Sequence, residues 1–161
     1  MRFQKIMQVK TVDKKYTTTS YKQTQKLGEK FAKDFLALRD PRGTPQSEKK
    51  HALVLGLKGN LGGGKTTFLQ GFARGLGVKE KVLSPTFVVM RRFNNFYHID
   101  CYRLKNEKDI IELDFKKIIS NPKNIVAIEW PEKIKKVLPK TTTYIKFKFI
   151  DKNKREIATK M

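Results

Sequence analysis

The feature that most constrains this chain is residues 59–66, which fit the pattern Gly-x-x-x-x-Gly-Lys-Thr without a departure. An apolar run of strand length, residues 52–57, precedes this segment, and a helical pattern over residues 66–75 follows it. In such a strand–loop–helix unit, glycines allow successive backbone N–H groups to face a phosphate, and the start of the helix adds positive charge. The segment therefore predicts an α/β fold that holds the phosphates of a nucleoside triphosphate.

Each residue type in this loop has a chemical reason to be there. Lys65 is expected to reach the β- and γ-phosphates, and the hydroxyl of Thr66 to ligate a Mg²⁺ ion that bridges them. A chance match is the alternative, but the preceding strand and the following helix argue against it. We expect the nucleotide to be held by Asn60, Leu61, Gly62, Gly63, Gly64, Lys65, Thr66 and Thr67.

Hydrolysis of a triphosphate needs a further acidic side chain, and Glu129 is the first candidate. It ends the apolar run of residues 125–128, which places it at the edge of the sheet where nucleotides bind. The alternative is a solvated acid in the first turn of a helix, because Pro131 comes two residues later.

Asp100 is the second candidate, since strand alternation puts it on one face with His98 and Tyr102. An ordinary solvated face is the alternative. His98 alone does not indicate a metal site, because the other histidine, His51, lies in a loop. Thr86, in a bend beyond the loop helix, could sense the γ-phosphate, although a plain turn fits equally well.

The rest of the chain alternates strand-like and helical patterns, which is typical of a layered α/β domain. Helices are expected at residues 21–38, 66–75, 107–119 and 132–137, and hairpins at residues 87–101 and 144–159. We expect a single domain over residues 1–161, with a mixed, mostly parallel sheet flanked by helices. In it, residues 1–19 fray or hold a short strand, and residues 40–51 form an exposed loop.

The charge of the chain points to an acidic partner or to a solvated surface. Lys and Arg number 36 against 15 Asp and Glu, which gives a formal net charge of +21. A nucleic acid or an anionic membrane would explain this excess, and so would a coat of lysines scattered along the chain. The single cysteine excludes an internal disulfide and suits the cytoplasm. The lack of an apolar stretch of about 18 residues argues against a membrane span.

Five motifs taken together are more specific than the loop alone. In chain order they are Gly59-x-Leu61-Gly62-x-Gly64-Lys65-Thr66-Thr67, Ser84-Pro85-Thr86-Phe87, Tyr97-His98-x-Asp100-x-Tyr102-Arg103-Leu104, Ile128-Glu129-Trp130-Pro131-Glu132 and Leu138-Pro139. Their order and spacing resemble the TsaE (YjeE) family, small bacterial ATPases required for threonylcarbamoyladenosine modification of tRNA. The resemblance runs from about residue 20 to the C-terminal hairpin.

The resemblance implies a P-loop ATPase domain whose cofactors are ATP and Mg²⁺. Thr66 and Glu129 match the Mg²⁺ positions of the family, and Asp100 matches an acid near the metal and the attacking water. Arg155 falls near an arginine at the far side of the nucleotide. The protein would act with the two synthase subunits that attach threonylcarbamoyl to the adenosine beside the anticodon, with a contact to tRNA and no membrane. Asp114 departs from the family, which usually has a glycine there.

Two other functions remain open from the residues. A stand-alone kinase for small molecules would need a substrate pocket and a lid, for which little of the chain is left over. A nucleic-acid-binding module that uses ATP only for regulation would explain the net charge, and steep salt dependence of RNA binding would support it.

Overall fold

The computed structural model describes residues 13–39, 50–84 and 87–160. The strands in these ranges are β1 (Asp13–Thr18), β2 (Leu53–Lys58), β3 (Met90–Phe93), β4 (Phe96–Asp100), β5 (Ile125–Glu129), β6 (Thr143–Phe149) and β7 (Arg155–Lys160). The helices are α1 (Tyr21–Arg39), α2 (Lys65–Gly75), α3 (Glu107–Ile111) and α4 (Phe115–Ser120), and a short 3-10 helix spans Pro131–Val137. Thr86, residues 1–12 and most of the expected loop at 40–51 lie outside the described ranges.

The strands form one mixed sheet in the order β1-β7-β6-β2-β5-β4-β3. The central pairs β6–β2, β2–β5 and β5–β4 are parallel, and the outer pairs β1–β7, β7–β6 and β4–β3 are antiparallel. The expected α/β class, mixed sheet and hairpins are confirmed. The expectation that the sheet is mostly parallel is wrong, because the hairpins at its edges make three of the six strand pairs antiparallel. β5 is buried along its whole length, which explains why its sequence is apolar without alternation.

Helices α1 and α2 pack together on one face of the sheet, around a core that includes Phe31 and Phe68. Two glycines allow this close packing. A Cβ atom at Gly71 would collide with the carbonyl oxygen of Gln25, and one at Gly28 would collide with the carbonyl oxygen of Phe68. Because neither glycine adds a side chain, the two helices approach backbone to backbone.

The second face carries a separate core over β2, β5 and β4. Phe115 of α4 and Ile134 of the 3-10 helix pack there with Val54, Ile99 and Ile128. This layer holds the carboxyl ends of the three parallel strands in place, and those ends carry the candidate site.

The expected helix over residues 107–119 is instead two helices, α3 and α4, so this prediction is wrong. Asp114, between them, has a φ angle of 56°, in the left-handed region that glycine adopts at least cost. A left-handed residue ends the hydrogen-bond ladder of α3 and turns the chain into α4. No helix in the described part of the chain combines the length and the apolar character needed to cross a bilayer.

Candidate functional site

The loop between β2 and α2 has the backbone shape that its glycines predict. Gly59, Gly62 and Gly64 have φ angles of 148°, 75° and 94°, values that residues with side chains rarely adopt. The N–H of Gly63 donates to the carbonyl oxygen of Asn60 over 3.1 Å, which closes the loop. Gly64 is the N-cap residue of α2. The N–H groups in the first turn of α2, which have no acceptor within the helix, therefore face the loop.

Lys65 is held inside the loop. Its side chain is buried, and Nζ donates to the carbonyl oxygens of Gly59 and Asn60, the latter at 3.0 Å. Nζ also lies 4.5 Å from the centroid of the Trp130 ring. Burial lowers the pKa of Lys65, and the charges of Glu129 and other nearby acids oppose that shift. The ammonium group is therefore partly desolvated, and its hydrogen-bond acceptors are uncharged backbone carbonyls. An anionic phosphate would form stronger hydrogen bonds with it than these carbonyls do.

The carboxylate of Glu129 joins the loop to the sheet. Its Oε1 accepts a hydrogen bond from the hydroxyl of Thr66 at 3.0 Å and lies 2.9 Å from Nε2 of His98. Glu129 is 3% exposed and His98 fully buried. Since a carboxylate only accepts hydrogen bonds, His98 donates from Nε2. The other ring nitrogen, Nδ1, has no hydrogen-bond partner among the described residues.

Asp100 lies beside Glu129 because β4 and β5 are parallel neighbours in which these two residues pair. Its Oδ1 accepts from the N–H of Tyr102 at 2.9 Å, and its Oδ2 from the hydroxyl of Ser84 at 3.2 Å. The two acids therefore end adjacent strands at one edge of the sheet. Burial raises the pKa of the neighbouring Cys101 thiol to about 12, so that thiol stays protonated at neutral pH.

The oxygen atoms at this edge suit a hard cation. Thr66, Glu129 and Asp100 offer a hydroxyl and two carboxylates, the donors that Mg²⁺ prefers. Within the described ranges, no cluster of three or more His, Cys, Asp or Glu side chains could hold a metal ion unaided. Mg²⁺ normally takes most of its remaining ligands from phosphate and water, so this donor set fits a magnesium–nucleotide complex.

Arg155 fastens the loop to the β6–β7 hairpin. Its Nε donates to the carbonyl oxygen of Gly62 at 2.9 Å, and its Nη1 to that of Asp151 at 2.6 Å. The guanidinium carbon lies 4.6 Å from the centroid of the Phe149 ring. The arginine thus holds one wall of the site against the end of the sheet.

These residues line one cleft of about 410 Å³ at the carboxyl edge of the sheet. The structure brings together nearly all of the predicted site residues there, and Asn60 joins them through its contact with Lys65. Thr86 lies outside the described residues. The cleft is lined by Leu61, Gly62, Gly63, Gly64, Lys65, Thr66, Thr67, Ser84, Asp100, Tyr102, Arg103, Glu129, Trp130 and Arg155.

Sequence reasoning missed two parts of the site. One is the contact between His98 and Glu129, for which strand alternation alone gave only a shared polar face. The other is a smaller cleft of about 190 Å³ that continues past Gly64 between the start of α1 and the β6–β7 turn. Its polar lining, which includes Thr24 and Asn153, carries no sequence motif.

Comparison with known proteins decides the family. The family model described as "Threonylcarbamoyl adenosine biosynthesis protein TsaE" matches residues 18–157. The chain belongs to the TsaE family. Its members act in tRNA threonylcarbamoyladenosine biosynthesis, and the resemblance seen in the five motifs is thereby confirmed.

Individual TsaE relatives are similar over much of the chain. The tRNA threonylcarbamoyladenosine biosynthesis protein TsaE of Rickettsia typhi is 32% identical over 150 residues, which are 90% of this chain and 93% of that protein. The protein of the same name from Bacillus subtilis is 38% identical over 109 residues, 65% of this chain and 67% of that protein. Among solved structures, YdiB of Bacillus subtilis superposes with a TM-score of 0.66 and 26% identity, covering 93% of this chain and 86% of that one.

Proposed function

We propose that this TsaE-family protein binds ATP with Mg²⁺ in the cleft of about 410 Å³ and hydrolyses it slowly during threonylcarbamoyladenosine modification of tRNA. The observation that carries the proposal is the hydrogen bond between Thr66 and Glu129. These residues lie 63 positions apart, yet their oxygens meet at the mouth of the loop. A loop that binds phosphate and an acid that can hold metal are thereby combined in one site.

Each group in the cleft has a separate proposed role in binding or hydrolysing the nucleotide. The N–H groups of the loop and of the first turn of α2 face the phosphates, and Lys65 moves its ammonium from the loop carbonyls to the β- and γ-phosphates. Thr66, Glu129 and Asp100 would hold Mg²⁺, which would supply positive charge to the phosphates. Asp100 also orients the attacking water, and Thr86 senses the γ-phosphate. Arg155 lines both clefts, so the nucleoside extends towards the smaller one.

The surface around the cleft supports the proposal that full activity depends on partner proteins. Leu61 of the loop is 66% exposed and Phe87 is 91% exposed. Val88 and Tyr102 also leave large apolar surfaces exposed near this edge. Such groups around a charged site are typical of a surface that another protein covers. The proposed partners are the two synthase subunits, together with a contact to tRNA.

Replacement of Lys65 tests nucleotide binding. Calorimetric titration with Mg·ATP should show an affinity for Lys65→Ala about 10 to 100 times weaker than for the natural protein, because a charged hydrogen bond to phosphate contributes roughly 1.5–3 kcal/mol. Lys79→Ala, which removes an exposed lysine beyond α2, is the matched control and should bind normally. Unchanged affinity in Lys65→Ala would contradict the site.

Replacement of Glu129 tests hydrolysis separately. Glu129→Ala should keep most of its affinity for ATP and lose most Mg²⁺-dependent phosphate release, measured with both synthase subunits present. Glu80→Ala removes an exposed acid beyond α2 and should retain turnover. Full phosphate release by Glu129→Ala would show that another group does this work.

A further inference from the structure

The half of the second sheet face formed by β1, β7 and β6 carries exposed lysines instead of a packed core. Along β6, the side chains of Ile145 and Phe147 are buried against α1 and α2, whereas Lys146 and Lys148 are exposed. On β1, Lys15 is likewise exposed, with 74% of its side chain accessible. Strict alternation of this kind indicates a sheet with one packed and one solvent-facing side.

Strand pairing brings the lysines of this side into one row. Lys58 of β2 pairs with Lys146 of β6, Lys146 pairs with Ala158 of β7, and Ala158 pairs with Lys15 of β1. Directly paired residues share a face, and neighbouring strands lie about 4.8 Å apart, so the row spans about 14 Å. Lys148 follows two residues along β6 on the same side. We call Lys15, Lys58, Lys146 and Lys148 the basic sheet face.

Among the described residues, acids balance only part of the charge on the basic sheet face. Two acids, Asp13 and Glu156, line the same shallow groove of about 640 Å³. Glu156 lies 4.0 Å from Lys15, and both side chains are accessible to water, so this pair is weak. Lys58 and Lys146 are paired residues of the parallel strands β2 and β6, so two like charges lie on neighbouring strands and repel each other. A negatively charged partner would relieve that repulsion.

The tyrosine in this groove does not offer a free ring for stacking. A Cβ atom at Gly56 would touch the ring of Tyr144, so the ring lies against the backbone of β2. Nζ of Lys58 lies 4.1 Å from the ring centroid, so the lysine is held over it. The basic sheet face therefore presents positive charge rather than a surface that reads bases.

We propose that the basic sheet face binds the phosphate backbone of an RNA, independently of base sequence. The row is too long for one phosphate group to reach all of its lysines, so a polymer with regularly spaced charges matches it. The choice of RNA rests on the proposed function, because the substrate of that pathway is a tRNA. Lys58 directly precedes Gly59 of the loop, so RNA bound here lies beside the nucleotide cleft.

Two other occupants fit less well. Residues 1–12, which lead into β1, carry three basic side chains and no acid, so charge disfavours them. An anionic membrane binds a surface less tightly when no apolar side chain enters the lipid, and the exposed side chains of this face are mainly lysines.

The test compares RNA binding by two triple variants of the full-length chain. Lys15→Gln/Lys146→Gln/Lys148→Gln alters the basic sheet face. Lys26→Gln/Lys30→Gln/Lys33→Gln removes three exposed lysines from α1, on the other side of the sheet. Each set includes one lysine near a surface glutamate, Lys15 with Glu156 and Lys33 with Glu29, so the two sets are matched in charge and pairing.

Binding of an unmodified tRNA transcript is measured by fluorescence anisotropy over a range of salt concentrations. In the sheet-face variant, affinity should fall at least about tenfold, and the slope of log affinity against log salt should decrease by about 2 to 3. The α1 variant should bind within about twofold of the natural protein. If the sheet-face variant does not fold, Lys146→Gln alone should reduce the slope by about 1.

The outcomes separate this inference from the proposed function. Equal losses in both triple variants would overturn the proposal, since binding would then follow diffuse net charge. Tighter binding of the natural protein to phosphatidylserine vesicles than to tRNA at the same salt would also overturn it. Mg·ATP affinity is measured on the same samples. Absence of RNA binding with normal ATP affinity defeats only this inference, whereas absence of ATP binding defeats the proposed function.

Discussion

At the scale of single residues, the candidate site centres on one oxygen atom, Oε1 of Glu129. Thr66 and His98 both reach this atom, from α2 and from β4. The histidine is fully buried, so its ring cannot turn away without disturbing the core. We therefore regard His98 as a positioning residue, which acts on the cleft by fixing the carboxylate of Glu129.

Replacement of His98 should reduce hydrolysis more than nucleotide binding. In His98→Ala, phosphate release with both synthase subunits should fall about 10- to 100-fold, the usual effect of losing a group that orients a metal ligand. The Mg²⁺ concentration for half-maximal release should rise, and ATP affinity should change little. His98→Asn, which retains a hydrogen-bond donor, should recover part of the activity.

The control for His98 is the other histidine. His51→Ala changes an exposed residue before β2 and should leave phosphate release and its Mg²⁺ dependence unaltered. A normal Mg²⁺ requirement in His98→Ala would show that the histidine serves only the core.

The site was predictable where its residues are contiguous or end a strand. The loop motif fixes the positions of Lys65 and Thr66, and the apolar run before Glu129 places that acid at the sheet edge. The contact between His98 and Glu129 was not predictable, because it depends on which strands become neighbours. The smaller cleft depends on how α1 meets the β6–β7 turn, and local patterns do not encode such packing.

At the scale of elements, Asp114 shows how one residue divides a helix. It adopts a φ angle of 56° without a side-chain hydrogen bond that caps α4. Its left-handed backbone therefore costs free energy that a glycine would not.

Asp114→Gly should raise the free energy of unfolding by about 1 kcal/mol, which for 161 residues corresponds to a rise in melting temperature of about 2–4 °C. Differential scanning calorimetry measures this change. Glu112→Gly is the control, because Glu112 has a helical φ angle of −62° and glycine there should destabilise the chain. A lower melting temperature for Asp114→Gly would contradict this account of the helix break.

The β6–β7 turn provides a second prediction. Oδ1 of Asp151 accepts hydrogen bonds from the N–H groups of Asn153 and Lys154, and these bonds lower the pKa of Asp151 below its ordinary value of 3.8. Since the folded pKa is the lower one, the contribution to stability is present above about pH 3.8 and is lost as the pH falls below it. Asp151→Asn, which keeps the acceptor and removes the charge, should therefore lose less stability in acid than the natural protein.

Thermal unfolding between about pH 5 and about pH 2 measures this difference. Asp34→Asn, an exposed aspartate on α1, should keep the acid dependence of the natural protein. If Asp151→Asn follows the same acid profile as the natural protein, the turn does not depend on the charged form of Asp151.

Elements with a strong period were predictable, and their partners were not. The apolar spacing of α1 and the run in β5 gave both elements within a few residues. The division between α3 and α4 was not predictable from the sequence, because the spacing of Ile110 and Ile118 also suits one continuous helix. Pairing of β1 with β7 joins the two ends of the described chain, which no local pattern reveals.

At the scale of the whole molecule, the net charge of +21 should weaken the folded state. Positive charges held together in a compact protein repel each other, and the unfolded chain relieves this repulsion. Dissolved salt screens charges at the surface, with a screening length of about 10 Å at 0.1 M.

The melting temperature should therefore rise when sodium chloride increases from about 20 mM to about 300 mM. Circular dichroism in a buffer without phosphate measures it, because phosphate could bind the loop. Lys26→Gln/Lys30→Gln/Lys33→Gln should show a smaller rise, since it carries less charge. A melting temperature that falls with salt would mean that favourable ion pairs outweigh the repulsion.

The position of Trp130 has a practical consequence for work with this protein. It is the one tryptophan of the chain, and its ring lies 4.5 Å from the ammonium of Lys65 and 5.1 Å from the ring of Tyr102. Indole emission responds to a nearby cation, so the tryptophan fluorescence of the unlabelled chain comes from a residue beside the loop. When bound phosphates draw the Lys65 ammonium away from the indole, this fluorescence should change. The natural protein therefore needs no added label for a measurement of nucleotide binding.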